Sequence, residues 1–404
     1  MRAEVQFGEE LLGFDLDDER ILGVWQGPAD APAVEVGQMV LDALENPAGG
    51  YPALRQIVVP GDQVVIAWDD EIPCASDVLQ GICAILNSSG VEPESIHVLA
   101  SSLPTGGWDG LLPAGVIGSV HDPGEAAQLA YLATTAHGRR VYLNRRLTDA
   151  DCVVPVGRLG YDPSLGYRGP WGTILPGLSD AETLRAFRSQ ESDDQSNSTH
   201  DRPLLTESVE ASWLLGSQFQ IGILPGRSGL AGVFAGLDAT VRADGARQLD
   251  AAWTFRADQQ AELVIAGIGT PGRPTRLDDL ALGLATASRL VRHGGKIVAL
   301  SRAGGPLGEA FQRLNGSDDP HDRRAALADA KDAPDFAAAR RLIAALSRAD
   351  VYLLSSLTDD QADDLGMIPL GRPEEARRLA VTADSCLLVS HANRTRVELT
   401  DEDD

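Results

Sequence analysis

Three consecutive carboxylates, Asp69-Asp70-Glu71, follow the apolar run Val64–Ala67. Carboxylates at that place could hold a hard cation or serve as an acid/base pair. They could equally form a solvated loop that caps the next helix with negative charge, and in this acidic chain that reading carries more weight. Seven histidines are scattered, at 97, 121, 137, 200, 293, 321 and 391, and no two stand at metal-ligand spacing. Cys74, Cys83, Cys152 and Cys386 show neither a C-x-x-C pair nor zinc-finger spacing. Lysine occurs only as Lys296 and Lys331, so no chemistry that needs a lysine can be served by residues 1–295. The run Gly267-Ile268-Gly269-Thr270-Pro271-Gly272 matches G-x-G-x-x-G. Pro271 and Pro274 remove donors from it, and Thr275 with Asp278 makes a helix cap without any ligand.

These residues need a scaffold, and 404 residues suffice for two cores. With 43% hydrophobic residues the chain reads as globular. Its net charge of −25 repels phosphate backbones and anionic bilayers, which argues against nucleic acid or membrane partners. No charged-then-apolar leader and no membrane-length apolar run is present, so the cytoplasm is the default expectation.

In the first half, apolar runs at Val64–Ala67, Ile96–Ala100, Val116–Val120, Val141–Leu143 and Cys152–Val156 read as strands, and Ser76–Leu86 carries a helical stripe. Phe219–Leu224 and Ala231–Phe234 bracket Pro225–Gly229 as a hairpin, and Ala239–Trp253 reads as a connecting helix. Ser189–Asp201 is polar and reads as a surface loop. The second half alternates again, with strands at Leu263–Ala266, Lys296–Leu300, Val351–Leu354 and Cys386–Val389 between helices at Leu277–Val291, Phe336–Leu346 and Glu374–Val381. The expected fold is α/β, with two domains of largely parallel sheet flanked by helices and a ligand cleft between them. Residues 1–250 form the first domain and 251–404 a doubly wound second one. A site belongs at the carboxyl ends of the strands, in the loops Trp68–Pro73, Ser101–Gly107, Gly157–Gly177, and Gly267–Pro274 with Ser301–Pro306.

The block Gly166–Gly177 resembles the glycine-rich segment of the nickel-dependent lactate racemase family, which runs Gly-Phe-Ser-Gly-Gly-Arg-Lys and ends in Leu-Pro-Gly. Val64–Ser76 is similar to that family's strand followed by Asp-His-Thr-Arg-Pro, and Ile96–Gly106 to its strand followed by Gly-Phe-His-Arg-Pro. Val233–Asp238 and Gly294–Val298 resemble two later segments in the same order. The resemblance implies a nickel ion in a pincer-shaped nucleotide tethered to a lysine, with histidines as metal ligand and proton carriers. Residue by residue those groups are replaced. The tethering lysine falls on Gly172, and the histidines fall on Asp70, Pro104, Asp162 and Arg188. The substrate-clamping arginine falls on Ile72, while Asp69 and Pro73 are kept, and a glutamine and a lysine of the second domain fall on Asp279 and Leu282.

The resemblance therefore implies a divergent isomerase- or epimerase-type enzyme acting on a 2-hydroxy acid or a related small molecule without a lysine tether. The alternative is a non-catalytic metabolite-binding protein on the same scaffold. In the enzyme reading Asp70, Asp162 and Arg188 are the catalytic candidates. Asp69, Thr105, Arg168, Trp171, Gly172 and Thr173 would contact a cofactor, an untethered nickel-pincer nucleotide being the one implied, and Arg158 and Tyr161 the substrate. No protein metal ligand is assigned; a hard-metal site at Asp69, Asp70, Glu71 and Asp162 ranks third.

Overall fold

The computed structural model describes residues 2–104, 106–190, 202–315 and 320–400. The chain divides into two units, one made of Pro28–Ala251 and the other of Met1–Gly27 with Ala252–Asp404. Each is built on a six-stranded sheet flanked by helices.

In the unit 28–251 the sheet runs in the order Leu230–Leu237, Phe219–Pro225, Cys152–Arg158, Val64–Trp68, Ile96–Ala100 and Ile117–Val120. All neighbours are parallel except the first pair, which is the expected hairpin. Val64–Trp68 is buried along its whole length. Its β-branched residues suit a strand covered on both faces. On one face Val64, Ile66, Trp68, Ile96, Val98 and Ala100 pack against Val78, Leu79, Ile82 and Leu86 of the helix Ala75–Ser88. Val141–Leu143, expected among the parallel strands, lies instead in Arg140–Asn144, which pairs antiparallel with Leu129–Thr134 outside the main sheet. The five residues 135–139 between them are enough for a hairpin, whereas a parallel crossover needs a dozen or more.

The second unit has an entirely parallel sheet in the order Ile368–Pro369, Ala349–Leu354, Val291–Ser301, Ala261–Ile268, Cys386–Val389 and Ile21–Trp25. Alternate residues feed two cores. Val264, Ala266, Ile297, Ala299 and Val351 face the helices Leu277–Leu290 and Phe336–Leu346. Leu263, Ile265, Val298, Leu300 and Leu388 face Ala376 and Ala380 of the helix Pro373–Thr382 and Val5, Phe7 and Phe14 of an N-terminal hairpin. The assignment of residues 1–27 to the first domain is thereby corrected. Their strand Ile21–Trp25 completes this sheet at its edge, beside Cys386–Val389. Among the described residues no helix is long and apolar enough to cross a membrane.

Candidate active site

The buried strand Val64–Trp68 delivers Asp69 to its carboxyl end, where only 5% of the residue is exposed. A carboxylate so buried must be matched. Asp69 Oδ2 accepts the backbone N–H of Arg158 at 3.1 Å, and its Oδ1 accepts that of Glu71 at 3.0 Å. Arg168 completes the set, with Nη2 donating to Asp69 Oδ1 at 2.7 Å and Nη1 to Glu71 Oε2 at 3.0 Å. Arg158 Nη2 donates to the same Glu71 oxygen at 2.7 Å. Two guanidinium groups and two carboxylates thus form a neutral network joining three loops. Burial disfavours the Arg168 charge, but Asp69 and Glu71, with Asp70 and Asp162 behind them, outweigh it and raise its pKa.

Arg168 and Asp162 sit on a short hairpin, Gly160–Asp162 paired with Gly166–Arg168. Asp162 Oδ1 accepts the N–H groups of Ser164 and Leu165, each at 2.8 Å, and so closes the turn with its own side chain. From the same hairpin Tyr161 and Tyr167 donate their hydroxyls to Asp250 Oδ1 and Oδ2, at 2.9 and 2.7 Å. Asp250 lies on the helix Asp238–Trp253, so that helix anchors the hairpin. Behind it, a Cβ at Gly157 would meet the backbone nitrogen of Pro170 at 2.5 Å, so only glycine lets the helix Pro170–Ile174 lie this close to its strand.

These elements enclose a pocket of about 230 Å³. Of the residues singled out in the sequence, Asp69, Asp70, Asp162, Arg168, Gly172, Thr173 and Arg188 line it. Asp70 accepts a hydrogen bond from the Ser102 hydroxyl. Arg188 is exposed and makes no ion pair among the described residues. Trp171 is buried beneath the pocket, with its indole N–H donating to the Tyr167 carbonyl at 3.2 Å. Arg158 and Tyr161 are turned to Glu71 and Asp250. Thr105 lies outside the described residues, as does nearly all of the polar segment 189–201. Every lining residue belongs to the unit 28–251, so the gathering needs no inter-domain cleft.

Sequence reasoning missed the apolar wall of Leu184 and Phe187. Its signal was available: Asp180 caps the helix Ala181–Ser189 by accepting from the Glu182 and Thr183 N–H groups, and Leu184 and Arg188 are then four residues apart on one face. Asp250 as the hairpin's anchor had no local signal. The hard-metal reading loses its donors, because Asp69 and Glu71 are engaged by arginine. Among the described residues no trio of histidine, cysteine, aspartate or glutamate converges for a metal ion. In the second unit the G-x-G-x-x-G turn is engaged by its own chain, the Gly269 N–H donating to Asn393 Oδ1 at 3.1 Å and the Ala392 N–H to the Gly267 carbonyl at 2.9 Å.

A family model described as the lactate racemase N-terminal domain matches residues 117–199, the stretch that carries most of the pocket. Lactate racemase of Thermoanaerobacterium thermosaccharolyticum is 24% identical over 342 residues, covering 79% of this chain and 79% of its own length. The solved lactate racemase apoprotein from that organism aligns with a TM-score of 0.79 at 21% identity, covering 98% of this chain and 100% of that one. A Thermotoga maritima protein of known crystal structure aligns at 0.69 with 13% identity, covering 93% of this chain and 100% of its own. At these identities the structural likeness speaks for the fold.

The lysine-tethered nickel-pincer nucleotide implied by the family does not fit the residues present. At Gly172, the position the resemblance sets against the tethering lysine, a Cβ would already meet Leu165 Cδ1 at 3.1 Å. Among the described residues the lining holds no lysine, histidine or thiol. The neighbouring His121 has both ring nitrogens engaged, Nε2 with the Ser179 carbonyl at 2.8 Å and Nδ1 with the Asn144 amide at 3.0 Å.

Proposed function

We propose that this divergent member of the lactate racemase family binds a small hydroxylated carboxylate in the pocket between Asp70, Asp162 and Arg188. The observation that carries this reading is Arg188: a guanidinium without an ion partner among the described residues, on a pocket whose other arginine, Arg168, is matched by Asp69 and Glu71. A free guanidinium pairs a carboxylate through two hydrogen bonds. Across from it, Asp70 and the Asp162 oxygen not used in the turn accept hydrogen bonds from ligand hydroxyls, which carboxylates without hydroxyls cannot offer. The volume of about 230 Å³ limits the ligand to a short chain.

Binding comes before catalysis in this reading for a physical reason. Removing a proton or hydride from the α-carbon of a hydroxy acid needs an electron sink or a far stronger base than a carboxylate. An isomerase or epimerase remains the second reading. It is favoured by Asp70 and Asp162 approaching one pocket from separate loops, a disposition suited to acid and base roles on a carbon already acidified by a carbonyl.

The test is calorimetric titration of the full chain with both enantiomers of lactate and glycerate and with longer sugar acids. The expected result is saturable binding of at least one hydroxy acid that Arg188→Gln weakens roughly tenfold or more. Absence of binding throughout the panel by folded protein, or equal binding by Arg188→Gln, sinks the proposal. Incorporation of solvent deuterium at the α-carbon of a bound hydroxy ketone would select the enzyme reading.

A further inference from the structure

A cavity of about 670 Å³ lies away from the Arg188 pocket. Gln63, Val64, Val65, His97 and Ile117 place it at the beginnings of the strands Val64–Trp68, Ile96–Ala100 and Ile117–Val120. Asp69, Asp70 and Ser101 of the first pocket follow the ends of the same strands. Five residues of strand separate the two, roughly 16 Å.

The cavity has a polar floor and a charged rim. His97 is only 9% exposed, and its Nε2 is 2.7 Å from the Ser119 hydroxyl. Burial first, and the nearby Arg146 second, lower its pKa to about 4, so the ring is neutral at physiological pH. In either tautomer of the neutral ring the pair keeps one further donor: Nδ1–H when the Ser119 hydroxyl donates to Nε2, and the Ser119 hydroxyl when Nε2–H donates to its oxygen. Arg146 is exposed on the rim and forms no hydrogen bond or ion pair through its side chain among the described residues. The rim carboxylates Glu94 and Asp149 also line the cavity. They are exposed and hence screened by solvent.

We infer that this cavity is a second ligand site, which takes a small oxyanion, a phosphate or carboxylate group, between the Arg146 guanidinium and the His97–Ser119 pair. The two residue classes divide the work. Arg146 supplies charge and the His97–Ser119 pair supplies one hydrogen-bond donor.

Nuclear magnetic resonance of the full chain labelled with ¹⁵N-histidine tests this, with inorganic phosphate and malonate as separate probes at constant ionic strength. The expected result is a saturable shift of the His97 ring nitrogens with one or both probes, and their relative affinities assign phosphate or carboxylate as the preferred group. Arg146→Gln should weaken the titration roughly tenfold, and Arg188→Gln should leave it unchanged. Ser119→Ala is the second variant, expected to fold and to bind more weakly. Unmoved His97 signals with both probes, or an Arg146→Gln titration equal to that of the parent, would overturn the inference.

Discussion

Arg168 grips Asp69 with two nitrogens, Nη2 to Oδ1 at 2.7 Å and Nε to Oδ2 at 3.2 Å. The pairing consumes an arginine that sequence reasoning had offered to a ligand. Asp69→Ala should cost about 3 kcal/mol, because it leaves the buried Arg158 and the partly buried Arg168 with one carboxylate between them. Urea denaturation monitored by tryptophan fluorescence measures the loss. A change of a few tenths of a kcal/mol would mean that water already screens the network.

Arg188→Gln should behave in the opposite way. The side chain is exposed and unpaired among the described residues, so stability should stay within about 0.5 kcal/mol of the parent. Binding of the hydroxy acid found by titration should nevertheless fall. A thermal melt recorded with and without that ligand separates the two effects.

The histidines predict a pH response. His97 ionises near 4 in the folded chain against an ordinary value of 6.5. The unfolded chain therefore binds the extra proton first, and stability must fall as pH drops from about 6.5 to 4 and level off below. His97 alone accounts for about 3 kcal/mol of that fall. His121 is lowered as well, chiefly by burial, and adds a loss of the same sign. His97→Gln should remove part of the slope and leave the His121 part, as read from denaturation midpoints between pH 7 and 4.

The double anchor on Asp250 makes the hairpin Gly160–Arg168 a mobility reporter. Tyr161→Phe or Tyr167→Phe should each cost about 1–2 kcal/mol, since each removes a hydrogen bond to a charged acceptor. Hydrogen exchange should quicken in that hairpin and spare the strand Val64–Trp68. Uniform quickening would show that Asp250 acts on the whole unit.

Placing a lysine at Gly172 tests how the pocket is sealed. With Leu165 Cδ1 at 3.1 Å from an added Cβ, a small shift of one methyl admits the side chain. Gly172→Lys should therefore fold, with ligand binding lost because the chain occupies the cavity. Retained binding on calorimetric titration would place the ligand elsewhere.

Much of the scaffold was legible because local pattern and final environment agree. Ile96–Ala100, Phe336–Leu346 and Cys386–Val389 follow from short apolar runs or helical stripes alone. Ile21–Trp25 went unread because its strand partner, Cys386–Val389, lies hundreds of residues away, and the local hairpin of Arg2–Phe7 with Glu10–Asp15 went unread although its strands are adjacent in the chain. The same holds at the site. Asp70, Asp162 and Arg188 were picked by their order in family-like loops, and they do line one pocket. That Arg158 and Arg168 would spend their charge on Glu71 and Asp69 depends on three loops meeting, which no spacing reveals.

The strand Ile21–Trp25 has a consequence for biosynthesis. It is synthesised before the unit 28–251, and its neighbour Cys386–Val389 only after that unit. The unit 28–251 is continuous and can fold as soon as it has emerged, while its predecessor waits with Val5, Phe7 and Phe14 uncovered. Production of residues 252–404 alone should yield an aggregation-prone fragment with a bare sheet edge. Supplying residues 1–27 in front of it through a flexible linker should restore solubility, which makes a permuted two-piece gene the natural way to isolate this unit.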